Sequence, residues 1–294
     1  MAVETVHADA GAYRRRVALA LTGRRLGSIL KYAVLVLFLL IFLIPFLWFA
    51  SWSLKTEAEI SANPFSLPIP AHWEKFTQVW VDGHFNRYLP NSVIYSSSVV
   101  IGVCFFSCLT GYALARMDFP GRNAIFFVLL VGQLVPFQGG MIPLYYLARD
   151  LHLLGTRWGL IVPVTAGALS FGVFMMRAFF QSLPEELVDA AQIDGCDQWG
   201  IFWRVMLPLA GPGLAALAVF EFMWSWNTFF PALLLVQRDE LRPVATAIMF
   251  FQSRYTSDRG LIATGVIITI LPVLALYFAL QRKFIEGVTA GALK

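Results

Sequence analysis

Charge is scarce in this sequence: Asp, Glu, Lys and Arg make up 14% of its 294 residues, against about a quarter in a typical soluble domain. Cysteine is scarcer still. Three residues, Cys104, Cys108 and Cys196, do not make a disulfide framework. The lysines are Lys31, Lys55, Lys75, Lys283 and Lys294, and none follows a glycine. The Gly-Lys-Ser/Thr loop that cradles nucleotide phosphates is therefore missing, so ATP is not expected to bind by that route. A net charge of +4, small and dispersed, offers no stripe of the kind nucleic acid needs.

What fills the sequence is grease: 58% hydrophobic residues and a mean hydropathy of +0.68. A bilayer core takes roughly 20 apolar residues per helix, and several runs meet that length. The expected class is an all-α polytopic membrane protein with six transmembrane helices. The runs lie at 31–54, 91–114, 123–147, 158–180, 212–236 and 261–280. Before them, residues 1–30 form a tail with Arg14, Arg15, Arg16, Arg24 and Arg25, expected in the cytoplasm by the positive-inside tendency. A cleaved leader is the alternative, but the run after the tail is too long for one and lacks a clear cleavage site. Residues 31–294 then form the membrane domain, with both termini inside. The third run contains Pro136, Gly139, Gly140 and Pro143 and should be bent or broken in its outer half. Cys104 and Cys108, one turn apart in a span, read as packing residues. The loop histidines His72 and His84 read as solvated side chains.

One long stretch is neither span nor ordinary loop. Residues 182–208 hold Glu185, Glu186, Asp189, Asp194 and Asp197, with no basic residue before Arg204. Ser182 and Glu185 have capping-box spacing, and Pro184 suits a first turn. Leu187, Ala190, Ala191 and Asp194 follow helical spacing. Gly195 stands where a left-handed residue would end the helix. Asp197 can cap a second helix carrying Ile201, Phe202 and Val205, which Leu207-Pro208 should break. The expected form is a helix, a tight glycine turn and a helix, an acidic elbow that folds between two apolar spans.

The spacing within the elbow carries a resemblance. Asp189-Ala190-Ala191, three residues, Gly195, nine residues, then Val205-x-Leu207-Pro208 resembles the EAA loop of ABC importer permeases. Asp189 stands where Glu is usual and Val205 where Ile is usual. The ending Gly287-Val-Thr289-Ala290-Gly291-Ala-Leu-Lys294 resembles that of permeases in carbohydrate importers of the maltose type. The segment Trp226 to Phe230 and the turn ending span two look similar to theirs as well. The resemblance covers residues 31–294 and implies a type I ABC importer permease fold, MalG-like. It implies that Glu185, Glu186, Asp189, Ala190, Ala191, Asp194, Gly195, Leu207 and Pro208 meet a separate ATPase. It also implies that the tail at 281–294 reaches that ATPase through Thr289, Ala290 and Gly291. The implied partners are a second, MalF-like permease, a cytoplasmic ABC ATPase dimer, an extracytoplasmic solute-binding protein, a sugar and the bilayer. No cofactor or metal is expected on this chain, and ATP with Mg is used by the partner ATPase. The implied mechanism is alternating access, and by the same analogy loop 237–260 probes the binding protein.

Polar residues at membrane depth are functional hypotheses by default. Glu221, Trp224 and Asn227 of the fifth run are candidates for the translocation path, with Gln133 as a weaker one. Six residues apart, Glu221 and Asn227 fall on different helix faces and need not share a site. Asn227 can equally serve an interhelical hydrogen bond, and Trp224 and Trp226 can stack on a sugar or pack. Glycerol-phosphate esters or polyols are alternative cargoes. A proton- or ion-coupled carrier using Glu221, or a structural or sensory subunit, would be a different class altogether. Transport by this chain without an ATPase would mark the carrier, and no cargo flux at all would mark the structural or sensory subunit.

Overall fold

The computed structural model describes the backbone at residues 2–134, 136–246, 249 and 258–292, and side chains from residue 27 to 281 within those limits except at 280. Among the described residues every regular element is helical. The first helix, α1 (Ala2–Trp52), runs from the arginine-bearing segment into the first apolar run without a break. Its stretch Gly27–Trp52 has a mean hydropathy of 2.9, and none of its most apolar window is buried against the rest of the chain. Such a surface tolerates only lipid or another protein.

The connection that follows is folded, where the sequence suggested a plain polar loop. Helix α2 (Glu57–Ala62) begins with a true capping box: Thr56 accepts from the Glu59 N–H, and Glu59 accepts from the Thr56 N–H at 2.8 Å. Helix α3 (Glu74–Val81) follows, and α4 (Phe85–Arg116) starts six residues earlier than expected. Two lysines are buried here. Lys55 donates to the Asn63 and Pro64 carbonyls, and Lys75 pairs with Asp258 at 3.2 Å.

His72 is wedged between two carboxylates, with Nδ1 2.7 Å from Glu74 and Nε2 3.5 Å from Glu59. The Glu74 contact, then the Glu59 contact, hold its pKa above the ordinary 6.5 despite some desolvation. Glu59 and Glu74 are held below 4.5, chiefly by backbone hydrogen bonds and then by the histidine. A raised histidine stabilises the folded cap fully below its unfolded value and loses that contribution as pH rises through the folded one. Hydrogen exchange over residues 55–84 should therefore show more protection near pH 6 than near pH 8 once intrinsic rates are removed. The difference should vanish in His72→Gln; equal protection at both pH values in the native chain would refute the clamp.

The chain then crosses back through α4. It turns at Gly121 and enters α5 (Arg122–Leu134). The third crossing is broken as the prolines and glycines foretold: a 3-10 turn at Phe137–Gly140 leads to α6 (Met141–Asp150) at 93° to α5. Helix α7 (Trp158–Ser182) is the fourth crossing. Helix α8 (Glu186–Ile193), α9 (Gln198–Ile201), a π-helical turn at Phe202–Met206 and α10 (Leu207–Leu209) make the elbow. Helix α11 (Gly211–Trp226) then leaves at 72° to the elbow's second arm. It ends at Trp226, ten residues before the expected end of the fifth span, and α12 (Phe230–Leu235) follows separately. The last helix, α13 (Arg259–Ala292), carries the sixth apolar run at Arg259–Ala279. Among the described residues four helices are long and apolar enough to cross a membrane, or up to six crossings if each bent pair is one.

The core is built on α4 and α7, which approach closely. A Cβ at Gly111 would lie 2.8 Å from Met176 Cβ and 3.0 Å from the Arg177 backbone nitrogen. Backbone cannot yield as a side-chain tip can, so only glycine fits here. Gly111→Leu should cost about 1–3 kcal/mol through overpacking, read as a lower unfolding temperature in detergent. An unchanged melting point would show that the helices can separate freely. Beside this crossing Cys108, Tyr112, Met176 and Phe180 form one buried cluster with residues of the elbow.

Candidate functional site

The elbow's first arm differs from the expected form. Helix α7 runs through Ser182, whose hydroxyl donates back to Phe179 O at 2.7 Å, so Ser182 and Glu185 form no capping box. Pro184 lies ahead of α8, and Glu185 is its N-cap without a side-chain bond. The physical reason is the burial of Phe180, which holds the last turn of α7 against α4. The turn itself is as expected. Gly195 has φ +82°, its N–H donates to Gln192 O, and the Cys196 N–H returns to Ala191 O at 2.9 Å. Asp197 caps α9 through the Gly200 N–H at 2.7 Å. Leu207-Pro208 does not break the second arm, because the wider π turn ahead of it carries the helix through to a bend at Ala210.

Packing divides the elbow into an anchored and an open side. Ala191, Ile201, Phe202, Met206 and Ala210 are buried in the chain's own core. Ala191 is thereby corrected from a docking residue to a packing one, since tertiary contact chose the Val188–Ala191 side of α8. Leu207 packs partly against the same core. Glu185, Glu186, Asp189, Ala190, Asp194, Gly195 and Pro208 are exposed. So are large apolar groups that the acidic pattern concealed: Ile193 is 87% exposed, Trp199 62% and Trp203 49%. An acidic, aromatic surface on a rigid base is suited to docking.

Two side chains unnoticed in the sequence hold the elbow to α4. Tyr112 donates to Gln198 Oε1 at 3.1 Å. Arg116, at the end of α4, donates to the carbonyls of Phe180, at 2.7 Å, and Leu183. Its guanidinium also lies 3.6 Å from Glu185. Only its place in a turn rich in basic residues hinted at this duty. The side chains of Thr289, Ala290 and Gly291 lie outside the described residues.

A second site opens at membrane depth. A cavity of about 940 Å³ lies among α5, the 3-10 turn, α7, α11 and α12. Gln133, Glu221, Trp224 and Asn227 all line it, so the structure joins residues that helical geometry had kept apart. Asn227 is the C-cap of α11, its N–H still bonded to Met223 O, and its side-chain amide donates to the same carbonyl at 2.7 Å. That bond caps its own helix, not a neighbouring one. Trp224 is 62% exposed while Trp226 is buried and stacked on Phe222, which separates the wall residue from the packing residue. Glu221 is 1% exposed, and its Oε1 has no hydrogen-bond partner.

The first part of the expected loop 237–260 is tied to α4. Asn91 donates to the Glu240 and Arg242 carbonyls, Tyr95 donates to Leu241 O, and Ser92 accepts from the Val244 N–H. Residues 250–257 lie outside the described residues.

Comparison with known proteins gives consistent matches. A family model described as binding-protein-dependent transport system inner membrane component matches residues 107–289. The chain is 37% identical to the diacetylchitobiose uptake system permease protein NgcG of Streptomyces coelicolor, over 94% of this chain and 92% of that one. It is 34% identical to the arabinooligosaccharides transport system permease protein AraQ of Halalkalibacterium halodurans, over 82% and 88%. Among solved structures, a bacterial ABC transporter for import of the acidic polysaccharide alginate aligns with a TM-score of 0.78. Identity there is 25%, over 88% of this chain and 97% of that one.

Proposed function

The chain belongs to the binding-protein-dependent transport system inner membrane component family and is a multi-pass permease subunit of an ABC importer; from that premise we propose carbohydrate as its cargo and the acidic elbow as its coupling surface. The observation that carries the cargo is the named specificity of relatives aligned over most of both chains, diacetylchitobiose and arabinooligosaccharides. The elbow reading rests on geometry. Its outer face exposes Glu186, Asp189, Asp194, Trp199 and Trp203, while its inner face is buried in the core shared with α4 and α7. A force applied to such a face moves the crossings as a body.

The partners on this reading are a second permease subunit, an ATPase dimer that supplies ATP hydrolysis with Mg, and an extracytoplasmic binding protein that delivers the sugar. The tail at 1–30, the elbow and the segment at 281–294 face the cytoplasm. Thr289, Ala290 and Gly291 touch the ATPase in this arrangement. The cavity containing Glu221, Trp224 and Asn227 is this subunit's half of the path, exposed alternately to either side. Affinity purification from detergent tests the whole scheme. It should recover a second permease and an ATPase whose hydrolysis rises with a sugar-loaded binding protein. A lone chain that moves solute in liposomes under a proton gradient would overturn it and transfer the role to Glu221.

A further inference from the structure

We infer that this subunit itself holds the cargo ring, with Trp224 as stacking face and Glu221 as hydrogen-bond acceptor, in a subsite that takes neutral pyranosides and excludes anionic ones. The inference rests on the carbohydrate reading above and adds a site and a charge rule to it. A pyranose presents an apolar C–H face and a rim of donors, so it needs a flat aromatic surface and a fixed acceptor. Both are in one cavity wall.

Trp224 is oriented yet open. The ring of Phe171 meets it at 5.4 Å and 73°, which fixes the indole, and 62% of the residue stays uncovered. A tryptophan left bare where a neighbour could have packed is a vacant contact surface. Glu221 lies one turn earlier on α11, and its unpartnered oxygen is the second, independent observation. A buried carboxyl without a partner is costly. A hydroxyl or amide N–H brought by the cargo removes that cost.

The charge rule follows from the lining. Glu221 is the only ionisable side chain on the described cavity wall, which carries no Lys, Arg or His. A uronate or sugar phosphate there would be taken out of water with no cation on the described wall to compensate it. Gln133 and Asn227 add neutral polar groups that suit hydroxyls.

The test uses the complex purified with its partner permease and ATPase, with no binding protein, so that only the membrane subunits select. Radiolabelled diacetylchitobiose, an arabino-oligosaccharide and maltotriose serve as neutral probes, and digalacturonate as the anionic one. The native complex should bind at least one neutral probe and not digalacturonate. Trp224→Ala should weaken binding about tenfold, as loss of an aromatic anchor does, while Trp224→Tyr stays within about threefold. Glu221→Leu, which removes the acceptor, should weaken neutral-probe binding severalfold and leave digalacturonate excluded. Equal recovery of the partner chains by each variant checks assembly. Neutral binding unaffected by Trp224→Ala, digalacturonate bound by the native complex, or ATP-driven uptake without any binding to the complex overturns the subsite and leaves the carbohydrate reading standing. A native complex that binds none of these sugars, and takes up none of them once its binding protein is added, overturns that reading, and this inference falls with it.

Discussion

Gly195→Pro is expected to abolish transport while the chain still inserts in the membrane. Gly195 sits at φ +82°, and proline is locked near φ −65°. The substitution also removes the N–H that donates to Gln192 O at 3.0 Å. Together these cost about 3 kcal/mol or more locally, enough to undo a turn only one residue wide. The damage is not confined to the turn. Cys196 N–H closes back on Ala191 O, and Asp197, two residues past the glycine, caps the second arm. Moving the turn therefore shifts both arms relative to the core that holds Ala191 and Ile201. Nothing lies within 4 Å of a Cβ at Gly195, so Gly195→Ala carries backbone strain alone, about 1 kcal/mol, and should transport measurably. Uptake by membrane vesicles, normalised to inserted protein, separates the two. Retained transport in the proline variant would sink the coupling role of the elbow.

The contrast between alanine and proline shows what local sequence can and cannot express. Gly195 and Asp197 were legible because each acts on its nearest neighbours, through a positive φ in one case and a three-residue hydrogen bond in the other. Ser182 and Glu185 had equally good local credentials, yet the packing of Phe180 against α4 and the reach of Arg116 from the end of α4 decide that turn. The same holds for α8, where spacing favours Leu187, Ala190, Ala191 and Asp194 as a face. Packing into the cluster shared with the elbow's second arm instead buries Ala191 and leaves Ala190 and Asp194 open. A capping box does occur, at Thr56 and Glu59, in a segment whose prolines and histidines suggested only loop.

The membrane crossings were legible as apolar runs and less so as shapes. Pro136 and the glycines after it announced the break in the third crossing, because proline removes a donor and blocks the preceding turn. Pro231 marks the end of α11 as well, because in a continuous helix its ring would clash with the Asn227 carbonyl, although apolar residues continue through Leu235. The shared cavity was the illegible part: it is wide enough for Glu221, Trp224 and Asn227 to line it together, where helical period said only that Glu221 and Asn227 need not share a site.

Arg116→Met should produce the second large effect, loss of coupling with assembly preserved. Methionine keeps the length and apolar stem of the side chain but removes the guanidinium. That group is 7% exposed and donates to two carbonyls at the end of α7, those of Phe180 and Leu183. Phe180 O retains another donor in the Leu183 N–H at 3.3 Å. Charge-assisted bonds of this kind contribute about 1.5–3 kcal/mol, and here they join α4 to the entry of the elbow. The Glu185 contact adds little, because that carboxylate is 89% exposed and screened by water. Transport should fall about tenfold or more, the factor that 1.4 kcal/mol of lost coupling represents, with the partner chains still recovered. Limited proteolysis should cut between α7 and α8 sooner than in the native chain. Arg116→Lys should recover only part of the activity, since a point-like ammonium cannot span two carbonyls as the planar guanidinium does. If the methionine variant transports at the native rate, the elbow is held by its apolar cluster alone, and Arg116 is a bystander at the end of α4.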